Sequence, residues 1–89
     1  MIEFTYVIKD PNGMHARPAG KLATVAKRFL SDVRVRANEK EADAKRLLAL
    51  MSLGATAGTT LTFTVSGEDE AAAADQLQSF LESAEGDRL

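Results

Sequence analysis

The single histidine of the chain lies in a segment whose residue types favour phosphate chemistry, Gly13-Met14-His15-Ala16-Arg17-Pro18-Ala19. A helix that begins here exposes backbone N–H groups without partners and carries a partial positive charge, so it attracts anions such as phosphate. A neutral imidazole nitrogen is a nucleophile, and the Arg17 guanidinium is a charged fork that suits phosphate oxygens. The segment is therefore a candidate for holding a phosphoryl group on His15. The competing interpretation is an exposed histidine at a helix start beside a solvated arginine.

The residues on both sides of the histidine predict a strand, a turn and a helix. Residues 2–8 alternate between apolar and polar, which is typical of a half-buried strand, and residues 10–13, Asp-Pro-Asn-Gly, form a dense turn signal. From about Ala16 the apolar residues recur every three or four positions, and Pro18 occupies the first turn, where its missing N–H costs nothing. The predicted helical stripe consists of Ala19, Leu22, Ala23, Ala26, Phe29 and Leu30.

The rest of the chain predicts a hairpin over residues 33–44, a short helix over 45–53 that ends at a left-handed Gly54, and a strand over 60–65. A last helix follows, with a stripe made of Ala73 or Ala74, Leu77, Phe80 or Leu81, and Ala84. The order β-α-β-β-α-β-α predicts an α+β fold, an open-faced two-layer β-sandwich with a mostly antiparallel four-stranded sheet and three helices on one face. Alternation predicts a polar open face formed by Glu3, Thr5, Arg34, Arg36, Thr62 and Thr64.

Length and composition exclude several classes of protein. Eighty-nine residues make one domain, 1–89, and the absence of cysteine excludes disulfides, thiolate nucleophiles and cysteine-based zinc sites. No apolar run approaches about 18 residues, so we expect a soluble cytoplasmic protein without direct membrane insertion. Eleven basic and 13 acidic side chains do not give the basic surface typical of nucleic-acid binding, and we expect no nucleic-acid partner.

Two segments resemble the HPr family, the histidine-containing phosphocarrier proteins of the bacterial phosphoenolpyruvate-dependent sugar phosphotransferase system. They are residues 12–19, Asn-Gly-Met-His-Ala-Arg-Pro-Ala, and residues 45–54 around the short helix, and the resemblance extends over essentially the whole chain. It implies that His15 accepts a phosphoryl group from enzyme I, on the ring nitrogen nearer the backbone, and passes it to a sugar-specific enzyme II A domain. Arg17 and the amides of Ala16 and Arg17 would steady the phosphate. The protein would then be a covalent carrier that needs no metal or organic cofactor, and not itself an enzyme.

The resemblance also implies a docking patch for both partners, formed by Gly20, Leu47, Leu48 and Met51. Burial is the competing interpretation for the apolar residues of the short helix. We expect Leu50 to face the sheet, Leu48 and Met51 to remain exposed, and either orientation for Leu47. Lys21, Lys27, Lys45 and Arg46 are candidates for steering acidic partners towards the patch. A carrier that presents one small face to two partners is expected to be a monomer.

Arg46 stands where the Gram-positive members of the family have a serine that a dedicated kinase phosphorylates. Arginine cannot be phosphorylated in this way, so we do not expect that regulation here. Ser52 lies nearby, and we interpret it as an ordinary surface hydroxyl of the helix. Two alternatives to a sugar carrier remain open: a carrier of a regulatory branch, either nitrogen-related or feeding a dihydroxyacetone kinase, and a binding module with the same fold that is not phosphorylated.

Overall fold

The computed structural model describes residues 1–83 and contains four strands. Apolar and polar residues alternate in three of them, and the short third strand has one apolar residue, Ala42. The strands are β1 (Ile2–Val7), β2 (Asp32–Ala37), β3 (Lys40–Asp43) and β4 (Thr60–Ser66). The strand order in the sheet is β1-β4-β2-β3, and every neighbouring pair is antiparallel. The fully buried Phe63 of β4 lies at the centre, where its ring stacks on Phe4 with a centroid distance of 4.9 Å.

Three helices cover one face of this sheet: α1 (Ala16–Ala26), α2 (Leu47–Met51) and α3 (Glu70–Glu82). Their buried side chains form one core with the inward side chains of the two central strands, and the predicted open-faced sandwich is confirmed. The largest fully buried side chains of this core are Ile8, Leu22, Val33, Val35, Leu50, Leu53, Leu61, Phe63, Val65, Leu77 and Leu81. No helix within residues 1–83 has the length and apolar content that crossing a membrane requires.

The opposite face of the sheet is polar, as alternation predicts. Glu3, Thr5, Arg34 and Arg36 are exposed, whereas Thr62 and Thr64 of the central strand β4 are half-buried between their neighbours. The tight turn between β2 and β3 is also where the sequence places it, and both of its central residues, Asn38 and Glu39, have positive φ. That conformation is favoured in two-residue hairpin loops because its twist matches that of the flanking strands.

The C-terminal end of the first helix differs from the prediction. We predicted an apolar stripe that continues to Leu30, but α1 ends at Ala26 and Leu30 is 78% exposed. After α1 the N–H groups of Arg28 and Phe29 donate to the backbone oxygens three residues earlier. The carboxylate of Asp69 then accepts the backbone N–H groups of Leu30, at 2.8 Å, and of Ser31, at 2.9 Å. These bonds replace helical ones, so residues 28–31 turn towards β2 instead.

The two later helices are close to their predicted positions. α2 is shorter than the predicted 45–53, and Gly54 follows it with φ +65°, the left-handed conformation predicted there. In α3 the predicted stripe is buried at Ala73, Ala74, Leu77 and Leu81, and Phe80 is half-buried. The last predicted member of that stripe, Ala84, lies outside the described residues.

Candidate functional site

The loop from β1 to α1 is fixed on both sides immediately before His15. Within the loop, the Gly13 N–H donates to the backbone oxygen of Asp10 at 2.9 Å. The loop is also bonded to a distant part of the chain, because the Met14 N–H donates to the backbone oxygen of Ala55 at 3.0 Å. Gly13 has φ +68° and lies so close to the 55–56 backbone that a Cβ atom built on it would be 2.9 Å from the Thr56 Cα. Only glycine fits this position without displacing the backbone.

His15 is the N-cap residue of α1, and its backbone oxygen accepts the Ala19 N–H at 3.1 Å. Its imidazole makes no capping hydrogen bond. The backbone N–H groups of Ala16 and Arg17 have no acceptor among residues 1–83, and Pro18 has no N–H. The first turn of α1 therefore offers two free amides next to the imidazole, the arrangement that binds anions at helix N-termini.

A carboxylate that the sequence analysis did not identify contacts the histidine. The Nε2 atom of His15 lies 3.3 Å from Oδ2 of Asp10, and the Asp10 side chain is 13% exposed whereas that of His15 is 38% exposed. The backbone N–H of Asn12, and to a lesser extent His15, lower the pKa of Asp10 below its ordinary value. Asp10 is therefore ionised at neutral pH. The sequence feature that could have indicated this contact is the tight turn, which brings residues five positions apart close to each other.

Arg17 is exposed, and its guanidinium makes no hydrogen bond or ion pair with any residue between 1 and 83. It lines an open groove of about 340 Å³ between α1 and α3, together with Gly20, Lys21 and Phe80. Gly20 is half-buried, and a Cβ atom placed on it would meet nothing within 4 Å. Arg17 is thus available to an anion that approaches the start of α1.

The apolar residues predicted for docking are exposed on α2. Leu48 is 78% exposed, Met51 38% and Leu47 37%, whereas Leu50 is fully buried against the core. The predicted orientation of the helix is confirmed, and Leu47, for which either orientation was open, faces solvent. A five-residue helix with three solvent-facing apolar side chains is unusual for a free surface and is typical of a contact site.

The basic residues considered for steering lie on two surfaces. Lys27, Lys45 and Arg46 line an open groove of about 760 Å³ beside Leu47 and Leu48, whereas Lys21 lines the other groove with Arg17. The Lys45 ammonium group also donates to the backbone oxygen of Phe29 at 2.9 Å. Arg46 is exposed at the N-cap of α2. Within residues 1–83 there is no cluster of three or more His, Cys, Asp or Glu side chains that could ligate a metal.

Comparison with known proteins finds relatives that match most of this chain. A family model described as the PTS HPr component phosphorylation site matches residues 2–83. The phosphocarrier protein HPr of Buchnera aphidicola is 40% identical over 74 residues, which cover 83% of this chain and 87% of that protein. A multiphosphoryl transfer protein of Xanthomonas campestris is 39% identical over 80 residues, 90% of this chain, but the chain spans only 10% of its length.

Relatives are also found among solved structures. A crystal structure of an HPr from Thermoanaerobacter tengcongensis superposes with a TM-score of 0.89 and 36% identity, and the match covers 100% of both chains. Other solved relatives, among them an HPr from the same bacterium, are dimers.

Proposed function

The chain belongs to the HPr family of phosphocarrier proteins of the phosphotransferase system, and from this we propose that His15 accepts a phosphoryl group from a phosphorylated enzyme I. The group, which derives from phosphoenolpyruvate, is then passed to an enzyme II A domain. The observation that carries the proposal is the position of the imidazole at the N-terminus of α1, beside the two free amides of Ala16 and Arg17. The oxygens of a phosphoryl group on His15 can accept hydrogen bonds from these two amides, which have no other acceptor within residues 1–83.

The proposed transfer forms one bond and breaks one. The lone pair of the His15 Nδ1 attacks phosphorus, and the bond between phosphorus and the donor breaks, with its electron pair staying on the donor. The amides at the start of α1 and the Arg17 guanidinium stabilise the charge on the phosphoryl oxygens. Passing the group to the acceptor is the same step in reverse. Two exposed amides and one exposed guanidinium hold the phosphate without enclosing it, which suits a carrier.

Both partners are proposed to dock on the patch formed by Gly20, Leu47, Leu48 and Met51. The support for this is the exposure of the three apolar side chains on α2, with basic side chains of Lys27 and Arg46 beside them. Such an apolar centre with a charged rim is the usual composition of a transient protein interface. Since each partner in turn uses the same patch, we propose that the carrier works as a monomer.

Arg46 bears on the regulation of this carrier and is compatible with either branch. An arginine at the N-cap of α2 keeps a fixed positive charge beside the proposed patch, where a phosphorylated serine would be negative. We propose that this chain serves sugar uptake without serine phosphorylation at this position. A regulatory branch differs only in its donor and acceptors, so the cognate enzymes distinguish the two.

The proposal is tested by incubating the purified chain with phosphoenolpyruvate and enzymes I from several sources, including the cognate one, followed by intact mass measurement. We expect one added phosphoryl group, labile to acid, and none on a His15→Ala variant whose circular dichroism spectrum and urea midpoint match those of the wild type. Phosphate on a folded His15→Ala variant would exclude His15 as the site. If no enzyme I labels the wild-type chain, the alternative of a binding module with this fold replaces the proposal.

A further inference from the structure

Asp10 uses both of its carboxylate oxygens within the loop that carries His15. Oδ1 accepts the backbone N–H of Asn12 at 2.8 Å, and Oδ2 lies 3.3 Å from Nε2 of His15. The carboxylate is the more buried partner of this pair, and the turn that closes with the Gly13 N–H on the Asp10 backbone oxygen holds it in place. The loop therefore presents a fixed acceptor to one particular nitrogen of the imidazole.

An ionised carboxylate only accepts hydrogen bonds, so its contact with Nε2 requires that Nε2 carry the hydrogen. A neutral imidazole has a single N–H, and Nδ1 is then left with a free lone pair. Within residues 1–83 no group donates to or accepts from this Nδ1. We propose that Asp10 is a positioning residue for phosphoryl transfer: it keeps the hydrogen of His15 on Nε2 and so presents Nδ1 as the nucleophile. The inference rests on the proposed function, since it assigns the way in which that function's nucleophile is prepared.

The same contact balances the charge that transfer creates. When the Nδ1 lone pair bonds to phosphorus, the imidazole keeps its hydrogen on Nε2 and the ring becomes positively charged. The Asp10 carboxylate, in contact with that N–H, stabilises the charge, and no proton has to move before or during the step. When the phosphoryl group leaves, the electron pair returns to Nδ1 and the ring is neutral again, with its hydrogen still on Nε2.

The test uses the fact that the chain has one histidine. A long-range ¹H–¹⁵N spectrum of the ¹⁵N-labelled protein contains signals from a single imidazole, whose two nitrogen shifts give the tautomer ratio directly. The spectrum is recorded at about pH 9. We expect the wild type to carry the hydrogen on Nε2. In Asp10→Asn the amide group is able to donate to Nε2, so the share of the Nδ1–H form relative to the Nε2–H form should rise by about tenfold.

Asp10→Asn separates positioning from a structural role. The variant keeps a carbonyl oxygen to accept the Asn12 N–H, so its urea midpoint should equal that of the wild type, whereas its rate of phosphorylation by enzyme I should fall by about tenfold or more. Asp32→Asn is the matched control, because Asp32 is an exposed carboxylate on β2 that forms an ion pair with Arg34. It should leave both the tautomer ratio and the phosphorylation rate unchanged.

The two proposals fail in different ways. If Asp10→Asn had the wild-type tautomer ratio, or accepted phosphate at the wild-type rate, the role of Asp10 would be refuted while phosphorylation of the wild type still supported His15 as carrier. A wild-type chain that takes no phosphate would refute the proposed function, and the tautomer ratios would still decide whether Asp10 fixes the hydrogen on Nε2.

Discussion

Replacing Gly13 by alanine should destabilise the protein more than the same replacement of Gly54 or Gly20, because two separate costs add. The first is the left-handed backbone at φ +68°, which costs an alanine about 1–2 kcal/mol. The second is the overlap of the new Cβ with the Ala55 backbone oxygen and its 2.9 Å approach to the Thr56 Cα. Backbone shifts forced by such overpacking cost about 1–3 kcal/mol. The expected loss in free energy of unfolding is therefore about 2–5 kcal/mol.

Two other glycines provide controls that separate these costs. Gly54 has φ +65° but nothing lies within 4 Å of a Cβ built on it, so Gly54→Ala should lose only the backbone cost of about 1–2 kcal/mol. Gly20 lies inside α1 with open space around it, and Gly20→Ala should stabilise by about 0.5–1 kcal/mol. Urea unfolding measures all three, and with a slope of about 1 kcal/mol per molar each kilocalorie moves the midpoint by about 1 M.

The order of the three midpoints decides the argument. If Gly13→Ala lost no more stability than Gly54→Ala, the 55–56 backbone would be yielding without cost, and the loop before His15 would not be fixed as the distances indicate. In that case the amide hydrogen of Met14, which is bonded to the Ala55 oxygen, should exchange rapidly with solvent. Hydrogen exchange on the wild type measures this rate.

Three further predictions follow from separate contacts. Arg17→Ala should slow phosphoryl transfer by roughly tenfold or more while leaving His15 phosphorylatable, since it removes one charged donor; unchanged kinetics with enzyme I would contradict this. Leu48→Ala, at a side chain 78% exposed, should change the free energy of unfolding by less than about 0.5 kcal/mol but weaken binding to enzyme I in calorimetry. Leu50→Ala, at a fully buried side chain, should lower the free energy of unfolding by about 2–5 kcal/mol. Hydrogen bonds from the Ser31 hydroxyl and then from the Leu30 N–H lower the pKa of Asp69 in the folded protein. The stability that this carboxylate contributes is therefore complete above its unfolded pKa of about 3.9 and is lost as the pH falls through the lower folded pKa. Acid unfolding of Asp69→Asn should show a weaker pH dependence in that range.

The sheet and the general position of the site could be predicted from the sequence because their signals are local. Residues 60–66 alternate strictly, and in β4 the alternate residues Leu61, Phe63 and Val65 are fully buried as a result. The helix start at His15 is signalled by the turn before it and by Pro18 after it. Where neighbouring residues determine the conformation, periodicity and turn chemistry suffice.

The parts that could not be predicted depend on contacts between distant residues or on side-chain geometry. The segment after α1 is held by Asp69, 39 residues beyond Leu30, and periodicity within residues 16–30 contains no trace of that contact. The orientation of Leu47 depends on the phase of a five-residue helix, which is too short to fix from its own pattern. Asp10 belongs to the turn that the sequence predicts. Its contact with the imidazole depends on the side-chain conformations of Asp10 and His15, which the sequence pattern does not specify.

The antiparallel pairing of β1 with β4 joins two segments that are far apart in the chain. Ile2 lies opposite Val65 and Val7 opposite Thr60. Within residues 1–83 the first strand therefore has its only neighbouring strand more than fifty residues later in the chain. During synthesis β1 has no strand to pair with until β4 has left the ribosome, and such distant pairing is slow because loop closure precedes any gain in contacts. The loop that holds His15 follows β1 and is tied to Ala55, which precedes β4. A nascent chain that ends before Ala55 lacks the hydrogen bond that holds this loop, so its His15 should accept phosphate more slowly than that of the folded protein.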